Sequence, residues 1–252
     1  MTLYEEFREF EFLCLLNFYG KPISKKRILE IGSSRGDLLF KIRNMGVDIT
    51  GVEIEENETT AKLQGIVYYD GKRLPFNDNS FDIILSSNVL EHIDNLNEFE
   101  LEIRRVLRPD AVVLHVLPTH MWRFWTMLIH YFALPRRIVF RMSRFNAKVT
   151  NTAAKDMLKK TNYTTIREVF HLLSAALVYP RHGVRGNRFT ELYYFHPTWW
   201  KRHFVQSGYK KVEVLTIPLF YTDHTLLPWL TLKHRKLLSF LGSATACYKM
   251  EK

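Results

Sequence analysis

A glycine-containing turn near residue 32 is the first feature of the chain suited to ligand chemistry. The apolar run 27–31 leads directly into EIGSSRGD, residues 30–37, and the residues that follow have helical spacing. A turn between a strand and a helix allows the backbone to approach a ligand closely, and it points the N–H groups of the helix start towards that ligand. Several classes of nucleotide-binding enzyme use such a turn, so the turn alone leaves the ligand open.

A carboxylate follows this turn at a spacing that suits a ribose. The second apolar segment ends in GVEI, residues 51–54, about twenty residues after the turn. Glu53 at this strand end can accept hydrogen bonds from both hydroxyls of a ribose. The turn and Glu53 together therefore predict a cofactor that contains adenosine.

Two further segments distinguish between the classes that bind adenosine cofactors. They are DGKRLPFNDNSFD, residues 70–82, and SSNVLEHI, residues 86–93, and RVLRPD follows at 105–110. In these segments the chain resembles the class I S-adenosylmethionine-dependent methyltransferases. The resemblance is to the methyltransferase type 11-like group, which contains ubiquinone- and menaquinone-methylating enzymes and many glycan-tailoring enzymes. It extends over residues 27–117 and implies an enzyme with S-adenosylmethionine as its cofactor, and we expect no metal.

The resemblance also implies which residues hold the cofactor. The glycine turn would hold the methionine part, and Ser34 stands where the family usually has glycine; a serine fits there if its backbone angles are ordinary. Glu53 would bind the ribose, Asp70 would accept a hydrogen bond from the adenine amino group, and the end of the fourth strand would lie near the sulfonium. The implied cofactor-binding residues are Glu30, Gly32, Ser34, Gly36, Glu53, Ile54, Asp70, Gly71, Ser87 and Asn88.

Three side chains are candidates for a catalytic base, from which a hydroxyl acceptor usually benefits. His92 follows the fourth strand and His120 the fifth, so both are expected at the carboxyl edge of the predicted sheet, where ligands bind in such folds. Glu191 is one of three acids in a strongly basic segment. The alternatives are structural: His92 would cap or bridge the start of the following helix, and Glu191 would pair with a nearby arginine.

The acceptor site is expected after the fifth strand, because this fold typically carries its substrate cap there. Residues 118–211 contain 17 lysines or arginines against three acids, which points to an anionic partner. Aromatic and basic residues are mixed from Trp122 onward, and the loop 181–188 contains three arginines and a histidine. Because guanidinium groups suit phosphate or carboxylate through paired hydrogen bonds, the predicted substrate-binding residues are Trp122, His182, Arg185 and Arg188.

These features favour O-methylation of a small or lipid-linked acceptor, most simply a phosphorylated or glycan-type molecule. A helix rich in aromatic and basic residues also suits contact with a membrane surface. Three alternatives stay open. An RNA methyltransferase would use the same basic and aromatic residues, a quinone or other lipid-ring methyltransferase would suit the apolar insertion, and a non-catalytic protein would retain cofactor binding alone.

The composition of the chain gives an expectation for where in the cell the protein is located. The two cysteines, Cys14 and Cys247, are far apart, the first dozen residues are acidic, and no uncharged apolar run reaches the length of a spanning helix. These observations predict a cytoplasmic protein. The aromatic and basic insertion adds the option that it associates peripherally with the inner face of the membrane.

The elements that position these residues follow from the alternation of apolar segments. Strands are predicted at 27–31, 47–54, 65–69, 81–87, 111–117, 209–217 and 244–250. Strands that are apolar throughout and alternate with helices indicate a parallel sheet covered on both faces. We therefore predict an α/β fold with a Rossmann-like, doubly wound, mostly parallel seven-stranded sheet and a mainly helical insertion after strand five. The resemblance implies that the last strand is antiparallel.

The domain organisation follows from the same alternation. Helices are predicted at 4–19, 37–44, 95–107, 122–142, 153–160, 166–177, 197–207 and 226–241. Residues 1–252 are expected to form a single methyltransferase domain. Its cofactor-binding half spans about 21–117, a helical substrate cap about 119–196, and the closing helix and strands about 197–252.

Overall fold

Seven strands form one sheet in the order β3-β2-β1-β4-β5-β7-β6 in the computed structural model. The structure describes residues 3–55, 64–151, 179–222, 227 and 229–252, without the side chains of Tyr4 and residues 136–151. The strands are β1 Arg27–Ile31, β2 Asp48–Ile54, β3 Ile66–Tyr69, β4 Phe81–Ser87, β5 Leu107–Pro118, β6 Lys211–Ile217 and β7 Thr245–Glu251. The pairs among β1–β5 are parallel, and β7 runs antiparallel to both β5 and β6. The predicted sheet is confirmed.

Helices cover both faces of this sheet. They are α1 Leu3–Tyr19, α2 Asp37–Asn44, α3 Leu96–Val106, α4 His120–Asn151, α5 Glu191–Tyr194, α6 Pro197–Gln206 and α7 Leu232–Leu237, with 3-10 turns at Leu90–His92 and Leu238–Leu241. No helix in the described part of the chain is long and apolar enough to cross a membrane.

The core lies in two layers because successive strand residues point to opposite faces. In β4, Ile84 packs in the layer shared with Phe204 of α6, and Ile83 packs in the other layer with Phe12 of α1. Both isoleucines are almost fully buried. A strand buried on both faces has no polar side to alternate with, which is why the central parts of these strands, Ile83–Leu85 in β4 and Ala111–Leu114 in β5, are continuous apolar runs.

Strand order reverses between β1 and β4, since β2 and β3 lie on one side of β1 and β4, β5, β7 and β6 lie on the other. In open α/β sheets a crevice forms at the carboxyl ends of the strands at such a switch point, and ligands bind there. The glycine turn follows β1, and the segment 86–93 begins in β4 and runs past its end. The fold therefore brings the two motifs to one crevice.

Four predicted elements differ from the structure or lie outside the described residues. The strand predicted at 111–117 begins earlier, at Leu107, where it pairs with Phe81 before a register shift. The helix predicted at 226–241 begins only at Leu232, because the guanidinium of buried Arg235 takes the carbonyl oxygens of Leu227 and Leu230. The helices predicted at 153–160 and 166–177 lie outside the described residues.

Candidate active site

A cavity of about 370 Å³ opens at the switch point, at the carboxyl ends of β1 and β4. The turn after β1 forms one wall through Glu30, Gly32 and Ser34, and Ser87 at the end of β4 forms another. Helix α1 lies across it and contributes Arg8. A turn, a strand end and a helix thus surround a space that contains both acidic and basic groups.

The turn depends on left-handed backbone at three alternate positions. Gly32 and Gly36 have φ of +74°, and Ser34 has φ of +46°. A Cβ on Gly32 would collide with the side chain of Val89, and one on Gly36 would lie 2.7 Å from the Phe40 ring. Gly32 and Gly36 are therefore required for both backbone angle and space. Ser34 does not have the ordinary angles expected for a serine at this position.

We expect Ser34→Gly to stabilise the protein. A residue with a Cβ is disfavoured in the left-handed region, and glycine removes that cost while adding some chain entropy to the unfolded state. The net gain in free energy of unfolding should be about 0.5–1 kcal/mol by chemical denaturation. Arg35→Gly is the matched control, because Arg35 lies in the same turn without a positive φ. Its stability should fall, and a fall for Ser34→Gly as well would contradict the backbone argument.

The ends of β2 and β3 continue the same edge of the sheet. The Glu53 carboxylate accepts hydrogen bonds from the backbone N–H of Ser34 at 2.6 Å and of Ile54 at 3.0 Å. Asp70 accepts one from the N–H of Lys72 at 2.9 Å, and Gly71 lies against Ile54. Glu53 therefore connects the glycine turn to the ends of β2 and β3, and each of its oxygens retains a second acceptor site for a ligand.

Glu30 is an acid inside the cavity wall. Its side chain is buried, with 4% of the residue exposed, and its Oε2 has no hydrogen-bond partner among the described residues. Burial raises the pKa of Glu30 to about 7, although a hydrogen bond from Ser33 and the charge of Arg8 oppose the shift. Near neutral pH this carboxyl group is therefore poised between its neutral and charged forms.

We expect Glu30 to lower stability as pH rises from about 5.5 to 8. Its folded pKa is above its unfolded value of 4.5, so the folded state holds the proton more tightly and loses that advantage as pH rises through about 7. Buried His115, whose pKa is lowered to about 3 by burial, acts in the opposite direction below pH 6.5. The comparison is therefore between wild type and Glu30→Gln by urea unfolding. The variant should gain about 1–3 kcal/mol relative to wild type across this range. A constant difference would show that Glu30 is not perturbed.

Helix α1 supplies residues that sequence reasoning missed. The Arg8 guanidinium donates to the Ser87 hydroxyl and pairs with Glu11 at 3.0 Å, and Glu11 accepts a hydrogen bond from Thr245 of β7 at 3.0 Å. Burial raises the pKa of Glu11. The signal available in the sequence was that Arg8 is the one basic residue in Leu3–Tyr19. This network attaches α1 to the cavity and places a cation beside Ser87.

A second group of functional side chains, which we call the histidine cluster, consists of Glu91, His92 and His182. The Nε2 atoms of His92 and His182 lie 3.8 and 3.7 Å from Glu91 Oε1, and the two imidazole rings are 5.0 Å apart. The indole of Trp122 lies 4.7 Å from the His182 ring. Three residues predicted for the site, His92, His182 and Trp122, therefore lie together beside Glu91, which the sequence did not single out.

The loop 179–188 is fixed in place by its backbone and by buried charges. Val184 N–H donates to the Glu91 carbonyl at 3.0 Å. Arg185 donates to the carbonyls of Leu90 and Ile93 and packs against the rings of Trp199 and Trp200. The Arg185 guanidinium thus holds the loop against the 3-10 turn. This arrangement differs from the open phosphate-binding arginine that the sequence predicted.

Glu191 lies in an internal ion pair. Its side chain and that of Arg123 are both 0% exposed and 2.9 Å apart. Glu191 also accepts hydrogen bonds from the N–H groups of His182 at 2.6 Å and Gly183 at 2.7 Å. Arg123 donates to the carbonyl of Arg188 at 3.1 Å. The geometry fits the structural alternative for Glu191 and gives it no access to an acceptor.

His120 occupies the start of α4, directly after β5. Its ring lies 4.5 Å from that of His196, and its Nδ1 is buried without a hydrogen-bond partner in the described part of the chain. Burial, and secondarily the proximity of His196, lower the pKa of His120. His120 is therefore neutral at neutral pH, with a lone pair available on one ring nitrogen.

The sheet order, the glycine turn and the carboxylates at the ends of β2 and β3 resemble the cofactor-binding region of the class I S-adenosylmethionine-dependent methyltransferases. Residues 29–115 match the family model described as a methyltransferase domain. An uncharacterised methyltransferase of Mycobacterium leprae (strain TN) is 33% identical over 114 residues, which cover 42% of this chain and 42% of the relative. One from Mycobacterium marinum is 34% identical over 110 residues, covering 41% and 42%.

The crystal structure of a SAM dependent methyltransferase from Archaeoglobus fulgidus aligns with 96% of this chain and 94% of its own, at 15% identity and a TM-score of 0.47. The chain spans less than half the length of the curated relatives that it matches. The resemblance drawn from residues 27–117 is confirmed over the matched region, and S-adenosylmethionine is the cofactor of this class.

Proposed function

We propose that this protein transfers the methyl group of S-adenosylmethionine to the oxygen of a small or lipid-linked acceptor. The observation that carries the proposal is the cavity at the switch point, which is linked through Ser34 to the carboxylate of Glu53. This combination offers one cavity for an amino acid group and a neighbouring acceptor for ribose hydroxyls. An S-adenosylmethionine molecule has these two parts in this order.

The charged residues of the cavity wall are suited to the charged groups of the methionine part of the cofactor. Arg8 would pair with the methionine carboxylate, and Glu30 would face the methionine ammonium group. A cation beside Glu30 favours its charged form, so cofactor binding at neutral pH would release a proton from this carboxyl group. Glu53 would bind the ribose, Asp70 would accept a hydrogen bond from the adenine amino group, and Ile54 would cover the adenine ring.

The reaction itself is an in-line displacement, in which alignment supplies much of the rate. The acceptor oxygen forms a bond to the methyl carbon while the carbon–sulfur bond breaks, and the electron pair of that bond remains on sulfur in S-adenosylhomocysteine. The hydroxyl proton must leave to a base. His120 is our candidate, because it is neutral and its Nδ1 has no hydrogen-bond partner among the described residues. His92 is the second candidate, since its side chain is partly exposed.

Exposed aromatic residues support a lipid-linked acceptor and contact with a membrane surface. Phe132 of α4 and Phe240 of the last 3-10 turn are each 79% exposed, and Trp229 and Leu237 are also exposed. The two segments are joined, because the Trp125 indole donates to the Leu241 carbonyl at 3.0 Å. Rings next to basic residues suit the headgroup region of a bilayer. We propose residues 119–196 as the substrate cap of a single domain.

A labelled-methyl assay separates the acceptor classes. The protein is incubated with methyl-labelled S-adenosylmethionine and a cell extract, which is then divided into organic, small-molecule aqueous and RNA fractions. We expect label in the organic or small-molecule fraction, and no label with Glu53→Ala. Label confined to RNA would replace our acceptor assignment with the RNA alternative. No label in any fraction, despite cofactor binding, would favour a non-catalytic protein.

A further inference from the structure

The carboxylate of Glu91 is buried and lacks a hydrogen-bond partner among the described residues. The residue is 1% exposed, and neither carboxylate oxygen has a hydrogen-bond partner in the part of the chain that the structure describes. Among the described residues, the Nε2 atoms of His92 and His182 lie 3.8 and 3.7 Å from Glu91 Oε1. These distances exceed hydrogen-bonding range. A cation in contact with a carboxylate buried in this way would stabilise the charged form of that carboxylate.

The three side chains of the histidine cluster bring possible metal-ligand atoms close together. One nitrogen or oxygen atom from each of Glu91, His92 and His182 lies within 4.8 Å of the others. Ligands about 2.0–2.2 Å from a tetrahedral metal are about 3.3–3.6 Å apart. The observed separations from Glu91 to the two imidazoles are wider by only a few tenths of an ångström. A small rotation of the partly exposed histidine side chains would close this difference.

Buried contacts hold His182 in this position. Its backbone N–H and that of Gly183 donate to Glu191, whose charge is compensated by Arg123. A Cβ on Gly183 would lie 3.0 Å from the Glu91 carbonyl, so the loop approaches the 3-10 turn as closely as a glycine allows. Such fixation of a ligand residue by surrounding groups is typical of metal sites. The loop therefore brings a histidine to Glu91 across a large sequence separation.

We infer that Glu91, His92 and His182 form a binding site for a divalent transition-metal ion of the zinc type, with open positions for the acceptor. Two imidazoles and one carboxylate suit Zn²⁺ and related first-row ions, whereas Mg²⁺ and Ca²⁺ prefer oxygen ligands. Three protein ligands leave room for an acceptor oxygen. This inference departs from the sequence-based expectation of no metal. The catalytic role of the metal ion rests on the proposed methyl transfer, whereas metal binding itself does not.

The metal coordination would assist the proposed reaction at the acceptor. An acceptor hydroxyl bound to the ion loses its proton more readily, because the positive charge stabilises the resulting alkoxide. The proton passes to a base such as His120 or to water, and the alkoxide oxygen attacks the methyl carbon. The 3-10 turn carries Glu91 and His92 only four and five residues after Ser87 of the cofactor cavity. The metal and the cofactor would thus lie on adjoining parts of one site.

Titration of Zn²⁺ into the chelator-treated full chain tests the site directly. We expect one equivalent of Zn²⁺ to bind, at least about tenfold more weakly in His182→Ala and Glu91→Gln, with no displacement by millimolar Mg²⁺. His234→Ala is the matched control, because His234 is an exposed histidine on α7. Its Zn²⁺ affinity should equal that of wild type. Equal affinity in wild type and His182→Ala, or binding of much less than one equivalent, would overturn the site.

Parallel titration of S-adenosylmethionine into the same samples keeps this test separate from the proposed function. We expect chelation and His182→Ala to leave cofactor affinity within about twofold, which also shows that the variant is folded. Zn²⁺ binding without cofactor binding would retain the metal site and remove its role in methyl transfer. In the labelled-methyl assay, chelation should abolish product formation and Zn²⁺ should restore it. Full activity after chelation would overturn the catalytic role.

Discussion

Replacing Glu53 by alanine is expected to weaken S-adenosylmethionine binding by about 10- to 100-fold, since a hydrogen bond to a charged group contributes about 1.5–3 kcal/mol. The proposed contacts to the ribose would be lost. The variant also removes the acceptor for the Ser34 N–H, which is bound at 2.6 Å, so the glycine turn would lose a support. Both effects act on the cofactor and neither requires an acceptor to be known. Isothermal titration calorimetry measures the change.

The control for this experiment is Glu213→Ala. Glu213 is a carboxylate on the edge strand β6 and pairs with Lys211 at the surface. Its removal changes the net charge by the same amount as Glu53→Ala, so it corrects for long-range electrostatics. Cofactor affinity should be unchanged. If Glu53→Ala bound S-adenosylmethionine as tightly as Glu213→Ala, the ribose assignment would be wrong.

Replacing Arg123 by methionine is expected to lower the free energy of unfolding by about 3–5 kcal/mol, because removal of one partner leaves the other as an uncompensated buried charge. Arg123 and Glu191 are both fully buried and 2.9 Å apart. The variant also removes donors to the carbonyls of Pro180 and Arg188, at 3.0 and 3.1 Å. Urea or thermal unfolding measures the loss.

A double variant separates the buried charge from lost packing. Arg123→Met/Glu191→Gln removes the orphaned carboxylate and should be more stable than Arg123→Met alone. Lys211→Met is the surface control, since Lys211 forms exposed pairs with Glu213 and Glu251, and it should change stability little. A small effect of Arg123→Met, comparable to that of Lys211→Met, would show that the pair does not hold the loop 179–188.

The sheet could be predicted from the sequence because its signal is local. Strands β4 and β5 contain unbroken apolar runs, Ile83–Leu85 and Ala111–Leu114, and such a run can be recognised from neighbouring residues alone. The glycine turn and Glu53 were equally readable, since their spacing along the chain reflects the geometry of one strand–helix–strand unit. The same local reasoning could not assign the backbone of Ser34. Its left-handed angle depends on the path of the whole turn.

Contacts between distant segments of the chain could not be predicted from the sequence. The amphipathic pattern of α1 indicates that one face is buried, but it does not indicate that Arg8 reaches Ser87 across the cavity. The sequence suggested that Arg185 binds an anion, but in the structure its guanidinium donates hydrogen bonds to backbone carbonyls. His182 and Glu91 meet only because the loop 179–188 returns to the 3-10 turn. Long-range packing, not residue type, decides each of these positions.

Direct titration of S-adenosylmethionine and S-adenosylhomocysteine into the wild-type protein tests the central claim most simply. The proposed function predicts binding of one equivalent of each at micromolar or tighter affinity. At pH 6–7, binding should also release a proton from Glu30, which appears as a dependence of the heat on the ionisation enthalpy of the buffer. Absence of binding for both ligands, in protein shown to be folded, would contradict the assignment of this cavity to the cofactor.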